Sequence, residues 1–326
     1  MIVITGGAGM IGSMIAWHLN TVLGRDDIVI VDHIHHPEQW QNLCHRRYAN
    51  YLDKDELLPW LQDASHVEAV IHMGAISATT ERDFNKLVRD NIRYSQQLWA
   101  WCAERSVPLL YASSAATYGD GAVGYDDDES KIDQLRPLNG YGYSKQFFDQ
   151  WVLRQVKDKL PTPPQWCGFK FFNVYGPNEY HKERMASVAQ HSFKQVNERD
   201  TVKLFKSHVA GYADGMQLRD FVYVKDAAAV VAHFLQHPDK SGIYNIGTGQ
   251  ARAFKDLATA VMTSMGREPS ITYIDMPQDL HGKYQYFTQA NMSKVRAAGY
   301  TQPFHSLEDG VRDYVQNYLM QPDPYC

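Results

Sequence analysis

The sequence predicts an α/β fold built on a parallel sheet with helices on both faces. Three observations carry that expectation. Short β-branched runs alternate with helical stretches, a glycine-rich turn follows the first run directly, and an acid closes the second. The runs at 2–5, 28–31, 69–72 and 109–112 are almost wholly apolar, as strands buried on both faces are. Between them, 10–23, 54–62 and 83–105 have the length and composition of crossover helices, and 141–156 forms a further helix after a polar, Pro-containing loop. The run ending in Phe172 gives way to the turn-rich Asn173-Val174-Tyr175-Gly176-Pro177-Asn178. Beyond it the pattern is mixed: 221–224 and 243–246 are expected to return to the sheet, and the Gly- and Ala-rich 209–217 to be an exposed loop.

A chain of 326 residues with 44% hydrophobic content buries a substantial core. Its net charge of -5 comes from interspersed acids and bases, so it lacks the basic face that nucleic acid or an anionic membrane requires. Cys44, Cys102, Cys167 and Cys326 are widely spaced, which fits a reduced compartment and offers no metal-ligand spacing. No apolar run approaches a membrane span. The expectation is a soluble cytoplasmic protein without a metal.

Gly6-Gly7-Ala8-Gly9-Met10-Ile11-Gly12 opens a helix straight from the first strand. Gly7, Gly9 and Gly12 give the spacing at which a backbone turn approaches a pyrophosphate and a helix N-terminus offers it free N–H groups. Asp32, twenty positions after Gly12, stands where an acid accepts hydrogen bonds from the adenosine ribose. The fold class sharpens to a Rossmann-type, doubly wound parallel sheet with a smaller, interleaved α/β lobe for substrate. Residues 1–172 form the dinucleotide-binding part, with returning segments at about 219–247, and 173–218 with 248–326 form the lobe.

Tyr141 and Lys145 lie at i and i+4 on one helix face, where a cation can stabilise a phenolate. The strand at 109–112 runs into the hydroxyls Ser113 and Ser114 at the carboxyl edge of the sheet, where doubly wound folds bind ligands.

The glycine motif, the strand-end Ser-Ser and the Tyr-x-x-x-Lys, in that order, resemble the extended short-chain dehydrogenase/reductase superfamily. More narrowly, Ala112-Ser113-Ser114-Ala115-Ala116-Thr117-Tyr118-Gly119, Leu138-Asn139-Gly140-Tyr141-Gly142-Tyr143-Ser144-Lys145, Phe172-Asn173-Val174-Tyr175-Gly176-Pro177, His181-Lys182, Met185-Ala186-Ser187 and Tyr284-Gln285-Tyr286-Phe287-Thr288-Gln289-Ala290 are similar to the ADP-heptose 6-epimerase branch. The resemblance implies epimerisation at C6 of an ADP-linked heptose through a transient 6-ketone, supplying heptose for the lipopolysaccharide core. It makes Tyr141 and Lys182 the acid/base groups, with Lys145 on the nicotinamide ribose and Ser114 on the reacting oxygen. Gly6, Gly9, Met10, Ile11, Gly12, Asp32, His33, Gln39, Lys54, Met73, Gly74, Ala75, Ile76, Ser77, Asn91 and Val174, with Tyr141, Lys145 and Lys182, would line the cofactor cleft. Asn173, Arg184, His191, Phe205, Lys206, Ser207, His208, Arg219 and Tyr284 would line the substrate site, Arg219 being suited to a diphosphate. His181 receives no role.

The resemblance implies NADP, with NAD the alternative that Asp32 favours, because Gln39 stands where the branch often has a phosphate-binding lysine. Glu183-Arg184 replaces the usual Gly-Ser after Lys182, and 209–217 lengthens the loop before Arg219. The expected partners are the small-molecule substrate and further copies of the chain. Alternatives are another nucleotide-sugar epimerase of the same superfamily and a non-catalytic NADP-sensing protein. A 4,6-dehydratase would carry an Asp-Glu pair where Ala115 and Ala116 stand.

Overall fold

The computed structural model describes residues 1–277 and 285–326. Its main sheet takes β1 (Ile2–Thr5), β2 (Ile28–Asp32), β3 (Asn50–Asp53), β4 (Ala69–His72), β5 (Leu109–Ser114) and β6 (Trp166–Phe171), and later in the chain β10 (Gly242–Ile246). All pair in parallel, in the order β10-β6-β5-β4-β1-β2-β3. The chain steps outward from β1 to β3 and then crosses back to β4, so the carboxyl ends of β1 and β4 flank the switch point where such sheets open a crevice.

Helices cover both faces, which is why the central strands carry so few polar residues. On one face α1 (Met10–Thr21) packs against the alanine-rich α7 (Val224–Gln236). The other holds α2 (Lys54–Asp63), α4 (Tyr94–Arg105) and α5 (Gly140–Lys157). Here Trp101 Nε1 donates to the Leu61 carbonyl at 3.1 Å, and the Trp99 and Trp151 rings meet edge to face with centroids 5.8 Å apart.

The helix expected over 83–105 is broken. Asp83 caps a short α3 (Phe84–Leu87), accepting from Lys86 N, and a π-helical turn, Val88–Arg93, then leads into α4. The wide turn carries Asn91, whose Oδ1 accepts from Ile76 N at 2.8 Å and whose Nδ2 donates to Ser144 Oγ at 2.9 Å. Such turns are frequent at functional sites.

The remaining strands form two small sheets. β7 (Asn173–Tyr175), β9 (Leu218–Tyr223) and β11 (Ala251–Ala253) lie in the order β11-β9-β7, and β8 (Val202–Phe205) pairs in parallel with β12 (Ile271–Ile274). The expected return of 221–224 to the main sheet is therefore corrected: β9 joins the three-stranded sheet, whereas 243–246 does return, within β10. β9 is buried almost throughout, and an apolar run looks the same whichever sheet receives it. α6 (Val188–Arg199) packs on α8 (Phe254–Ser264) over the β8–β12 pair, around Val196, Val202, Leu204, Ala258 and Met262. The last helices are α9 (Ser293–Ala297) and α10 (Leu307–Tyr314). Among the described residues no helix is long and apolar enough to cross a membrane.

Behind the Ser113-Ser114 strand end lies a buried ion pair. Lys170 Nζ, on β6, donates to Asp149 Oδ2 at 2.8 Å and to Thr117 Oγ1 at 2.7 Å, while Asp149, on α5, also accepts from Ser113 Oγ at 2.6 Å and Tyr111 OH at 3.2 Å. Both partners are almost wholly out of solvent. Removing one leaves the other charge without compensation in low dielectric, at a cost of about 3–5 kcal/mol, whereas replacing both removes much of that penalty. Denaturant unfolding of Asp149→Ala should reveal a loss of that size, and Asp149→Ala/Lys170→Met should recover part of it. Equal midpoints for Asp149→Ala and wild type would contradict the assignment.

Candidate active site

The crevice begins where β1 turns into α1. Gly6 has φ +64°, and a Cβ built on it would stand 2.6 Å from Gly74 N; one built on Gly12 would stand 2.1 Å from Gly6 O. The turn therefore packs backbone to backbone against its own helix and against the loop that follows β4. Gly9 caps α1 without a side chain, and no acid occupies the first turn. The helix end thus keeps its N–H groups and positive dipole end for an anion, and these residues fit the pyrophosphate of a dinucleotide.

Asp32 closes β2 at the rim of this turn. Its Oδ2 accepts from Ala8 N at 2.8 Å and its Oδ1 from His33 N at 2.7 Å. Burial pushes the carboxyl up, and the backbone N–H groups oppose that shift. Beyond it, His33 Nδ1 lies 2.8 Å from Asp53 Oδ2, Lys54 Nζ lies 3.1 Å from Asp90 Oδ1 and Lys86 Nζ lies 3.3 Å from Glu81 Oε2. His35 sits edge-on to His33 and is held below the ordinary histidine range, by burial first and then by the charges of His33, Lys54 and Lys86. Gln39 is turned inward and buried, with Oε1 accepting from His35 N at 3.3 Å. Met73, Gly74, Ala75, Ile76 and Ser77 follow β4, tied back by Gly74 N donating to Thr5 Oγ1 at 3.1 Å.

α5 brings in the Tyr141 group. Asn139 caps the helix by accepting from Gly142 N at 2.9 Å, which starts it one residue before Tyr141. Ser114 ends the neighbouring β5. Burial raises the Tyr141 hydroxyl, and its hydrogen bond with Ser114 pulls the other way. Lys145 Nζ donates to the Ala112 carbonyl at 2.9 Å; burial brings its pKa down to about 8, against the opposing pull of Asp149 one turn along.

Lys182 comes from a separate element, the 3-10 segment Tyr180–Met185. Its Nζ stands 3.5 Å from Met10 Sδ, at the first residue of α1. Burial lowers its pKa, while Glu179 acts to raise it. The next residue, Glu183, has φ +46° and ψ -115°, a conformation that glycine adopts freely and other residues hold under strain. Glu183 Oε1 lies 3.5 Å from His36 Nε2. His181, without a role in the sequence, packs its Nδ1 3.2 Å from Asn42 Nδ2 and is pushed down to about 4, by burial first and then by Lys182 and His36.

The residues expected around the substrate spread over several elements. Asn173 and Val174 lie on β7, His191 on α6, and Phe205 at the end of β8, followed by Lys206, Ser207 and His208. Lys206 Nζ pairs with Asp275 Oδ1 at 3.0 Å, Ser207 N donates to Asp214 Oδ1 at 2.8 Å, and His208 N donates to Tyr286 OH at 3.0 Å. Arg219, on β9, donates to the Leu218 and Gln285 carbonyls and lies over the Phe254 ring. Arg184 is exposed, and Tyr284 lies outside the described residues. Two asparagines that sequence reasoning passed over, Asn42 and Asn178, are buried between the glycine turn and the Lys182 segment. Neither belongs to a motif of spacing, so only the three-dimensional contacts reveal them.

The sequence profile of the NAD dependent epimerase/dehydratase family matches residues 2–247. An ADP-L-glycero-D-manno-heptose-6-epimerase of Fusobacterium nucleatum is 52% identical over the whole of both chains, and one of Alkalilimnicola ehrlichii is 45% identical over 97% of this chain and 96% of its own. Among solved structures, the ADP-L-glycero-D-manno-heptose-6-epimerase of Helicobacter pylori superposes with a TM-score of 0.80 at 28% identity, covering 97% of this chain and 95% of that one. The glycine turn, the Tyr141 group and this full-length similarity agree: the chain belongs to the NAD dependent epimerase/dehydratase family, in the group of the ADP-L-glycero-D-manno-heptose-6-epimerases.

Proposed function

We propose that this chain inverts C6 of ADP-D-glycero-D-manno-heptose to give ADP-L-glycero-D-manno-heptose, for the lipopolysaccharide core. One juxtaposition supports it best. Tyr141 stands beside the end of β5 and Lys182 beside the loop after β1, with only β4 between those strands. Two proton-exchanging groups from separate elements thus border one crevice.

The dinucleotide, when bound, supplies reversible hydride exchange at C6, which passes through a 6-ketone. Tyr141 exchanges the proton of the C6 oxygen, Ser114 hydrogen-bonds that oxygen, and the Lys145 charge stabilises the phenolate that Tyr141 becomes. Inversion presents the oxygen in two directions, so an exchanger on each side serves both half-reactions. Burial favours the neutral amine of Lys182, which is the form a base needs. Asn173, Arg184, His191, Phe205, Lys206, Ser207, His208, Arg219 and Tyr284 contact the sugar nucleotide in this scheme, and the protein works as a cytoplasmic homo-oligomer.

For the cofactor we propose NADP with NAD accepted nearly as well. Lys54 and Lys86 each already meet a carboxylate, and His35 is held below the ordinary histidine range, which disfavours its charged form. A 2′-phosphate therefore gains little net attraction there. Asp32 stays available to the ribose.

The purified enzyme should convert the D-glycero to the L-glycero sugar, followed by NMR at C6, with no net consumption of NAD(P)H; a stoichiometric need for reductant would instead identify a net reductase. Tyr141→Phe and Lys182→Met should each lower kcat by at least about a hundredfold, the lower scale for losing a positioned acid or base. If saturating substrate restored wild-type kcat in Lys182→Met, that lysine would be a binding cation only. Calorimetry should find NAD within about tenfold of NADP, roughly 1.4 kcal/mol. A thousandfold preference for NADP would establish a dedicated phosphate site.

A further inference from the structure

We infer that Asn42 and Asn178 are positioning residues that lock the Lys182 segment to the glycine turn, and so fix where the second proton exchanger stands relative to the cofactor. The inference rests on the acid/base role proposed for Lys182.

Asn42 lies in the 3-10 turn Gln39–Leu43 and is 1% exposed. Its Nδ2 donates to the Ala8 carbonyl, in the glycine turn, at 2.8 Å and to the Asn178 carbonyl at 3.0 Å, with His181 Nδ1 at 3.2 Å. Two carbonyl acceptors fix which end of the amide faces them, since the reversed amide would oppose oxygen to oxygen. One side chain thereby ties the anion-binding turn to the residues on both sides of Tyr180. Asn178 completes the lock from the other strand of chain. It is fully buried, has φ +69°, donates through Nδ2 to Ser13 Oγ of α1 at 2.9 Å, and accepts from Cys326 N at 3.1 Å.

The segment is clamped beyond the lysine as well. Glu179, buried, accepts from Ser187 N and from Ser187 Oγ at 2.6 Å, so the chain on either side of Tyr180–Met185 is held by side-chain bonds. Within it, Tyr180 OH donates to the Pro324 carbonyl at 2.6 Å and His181 meets Asn42, while Lys182 Nζ touches Met10 Sδ and Glu183 makes a long pair with His36. A lysine has four rotatable side-chain bonds, and its placement is only as good as that of the backbone that carries it. Misplacing a reacting group by about 1 Å can cost on the order of a hundredfold in rate.

The test is a double-mutant cycle on the full-length enzyme with its dinucleotide bound. Asn178→Gly deletes both side-chain bonds while keeping a residue at ease in the left-handed conformation; Asn42→Ala deletes the tie to Ala8. Thermal melting and retained dinucleotide identify the variants that fold, and Asn178→Gly decides if Asn42→Ala does not. Each should lower kcat by about tenfold or more with KM within about threefold, and each should add less than about twofold in a Lys182→Met background, because coupled residues are non-additive. Equal losses in both backgrounds would mean that the asparagines serve the fold generally, and would overturn the inference. Wild-type kcat in the asparagine variants beside a crippled Lys182→Met would overturn the inference alone. Wild-type kcat in Lys182→Met would overturn the acid/base role itself, and the inference with it.

Discussion

The close backbone approach at the head of β1 is the constraint on which the rest of the site depends. Three chain segments meet there with no room for a side chain: the turn at Gly6, the first turn of α1 at Gly12 and the loop at Gly74. Because the contact is backbone to backbone, it sets the height of α1 against the sheet, and so the position of the N–H groups that receive an anion. Four further parts are referred to that point. Asp32 bonds to Ala8 N, Asn42 to Ala8 O, Asn178 to Ser13, and Lys182 rests on Met10. The second-strand acid, two buried asparagines and Lys182 are thus all aligned on one short stretch of main chain, residues 8–13.

Two lysines are drawn inside and a third, Lys182, is half-buried, and each meets the cost of desolvation differently. Lys170 lies 2.8 Å from the Asp149 carboxylate. Lys145 has only a carbonyl as its direct acceptor, with Asp149 further off, and titrates nearer neutrality. Lys182 lies against a thioether, and Glu179 only partly offsets its desolvation. The sequence Tyr141, Lys145, Asp149 along one face of α5 lets a single carboxylate act on two of these cations, so the buried pair and the Tyr141 group share one electrostatic environment.

What could be read from the sequence was what repeats or punctuates. β1, β2, β4 and β5 announce themselves by apolar runs, and the glycine turn and Tyr141/Lys145 by spacing. β3 was passed over because it is a partly exposed edge strand, Asn50–Asp53, without a β-branched run. The break in the helix over 83–105 was invisible because Val88–Arg93 has ordinary helical composition; only the pull of Ile76 and Ser144 on Asn91 distinguishes it. Gln39 turns its side chain inward to His35, a choice of direction that spacing does not encode. His181 and Asn42 are separated by 139 positions, and without their meeting neither has a reason to be noticed.

The π-helical turn between α3 and α4 also governs phase. Each residue of a regular helix advances the side chains by about 100°, and a wide turn inserts one more residue than a regular turn would hold. Asn91 can therefore face the crevice while Leu98, Trp99, Trp101 and Cys102, downstream on α4, face the core. A single deletion within Val88–Arg93 would turn the wide turn into a regular one, leaving that apolar stripe in phase with the sheet but moving Asn91 away from Ile76 and Ser144. Asn91 is accordingly the position in this stretch least open to substitution, whereas Arg89 and Arg93 beside it, like most of the loop at 208–213, face solvent.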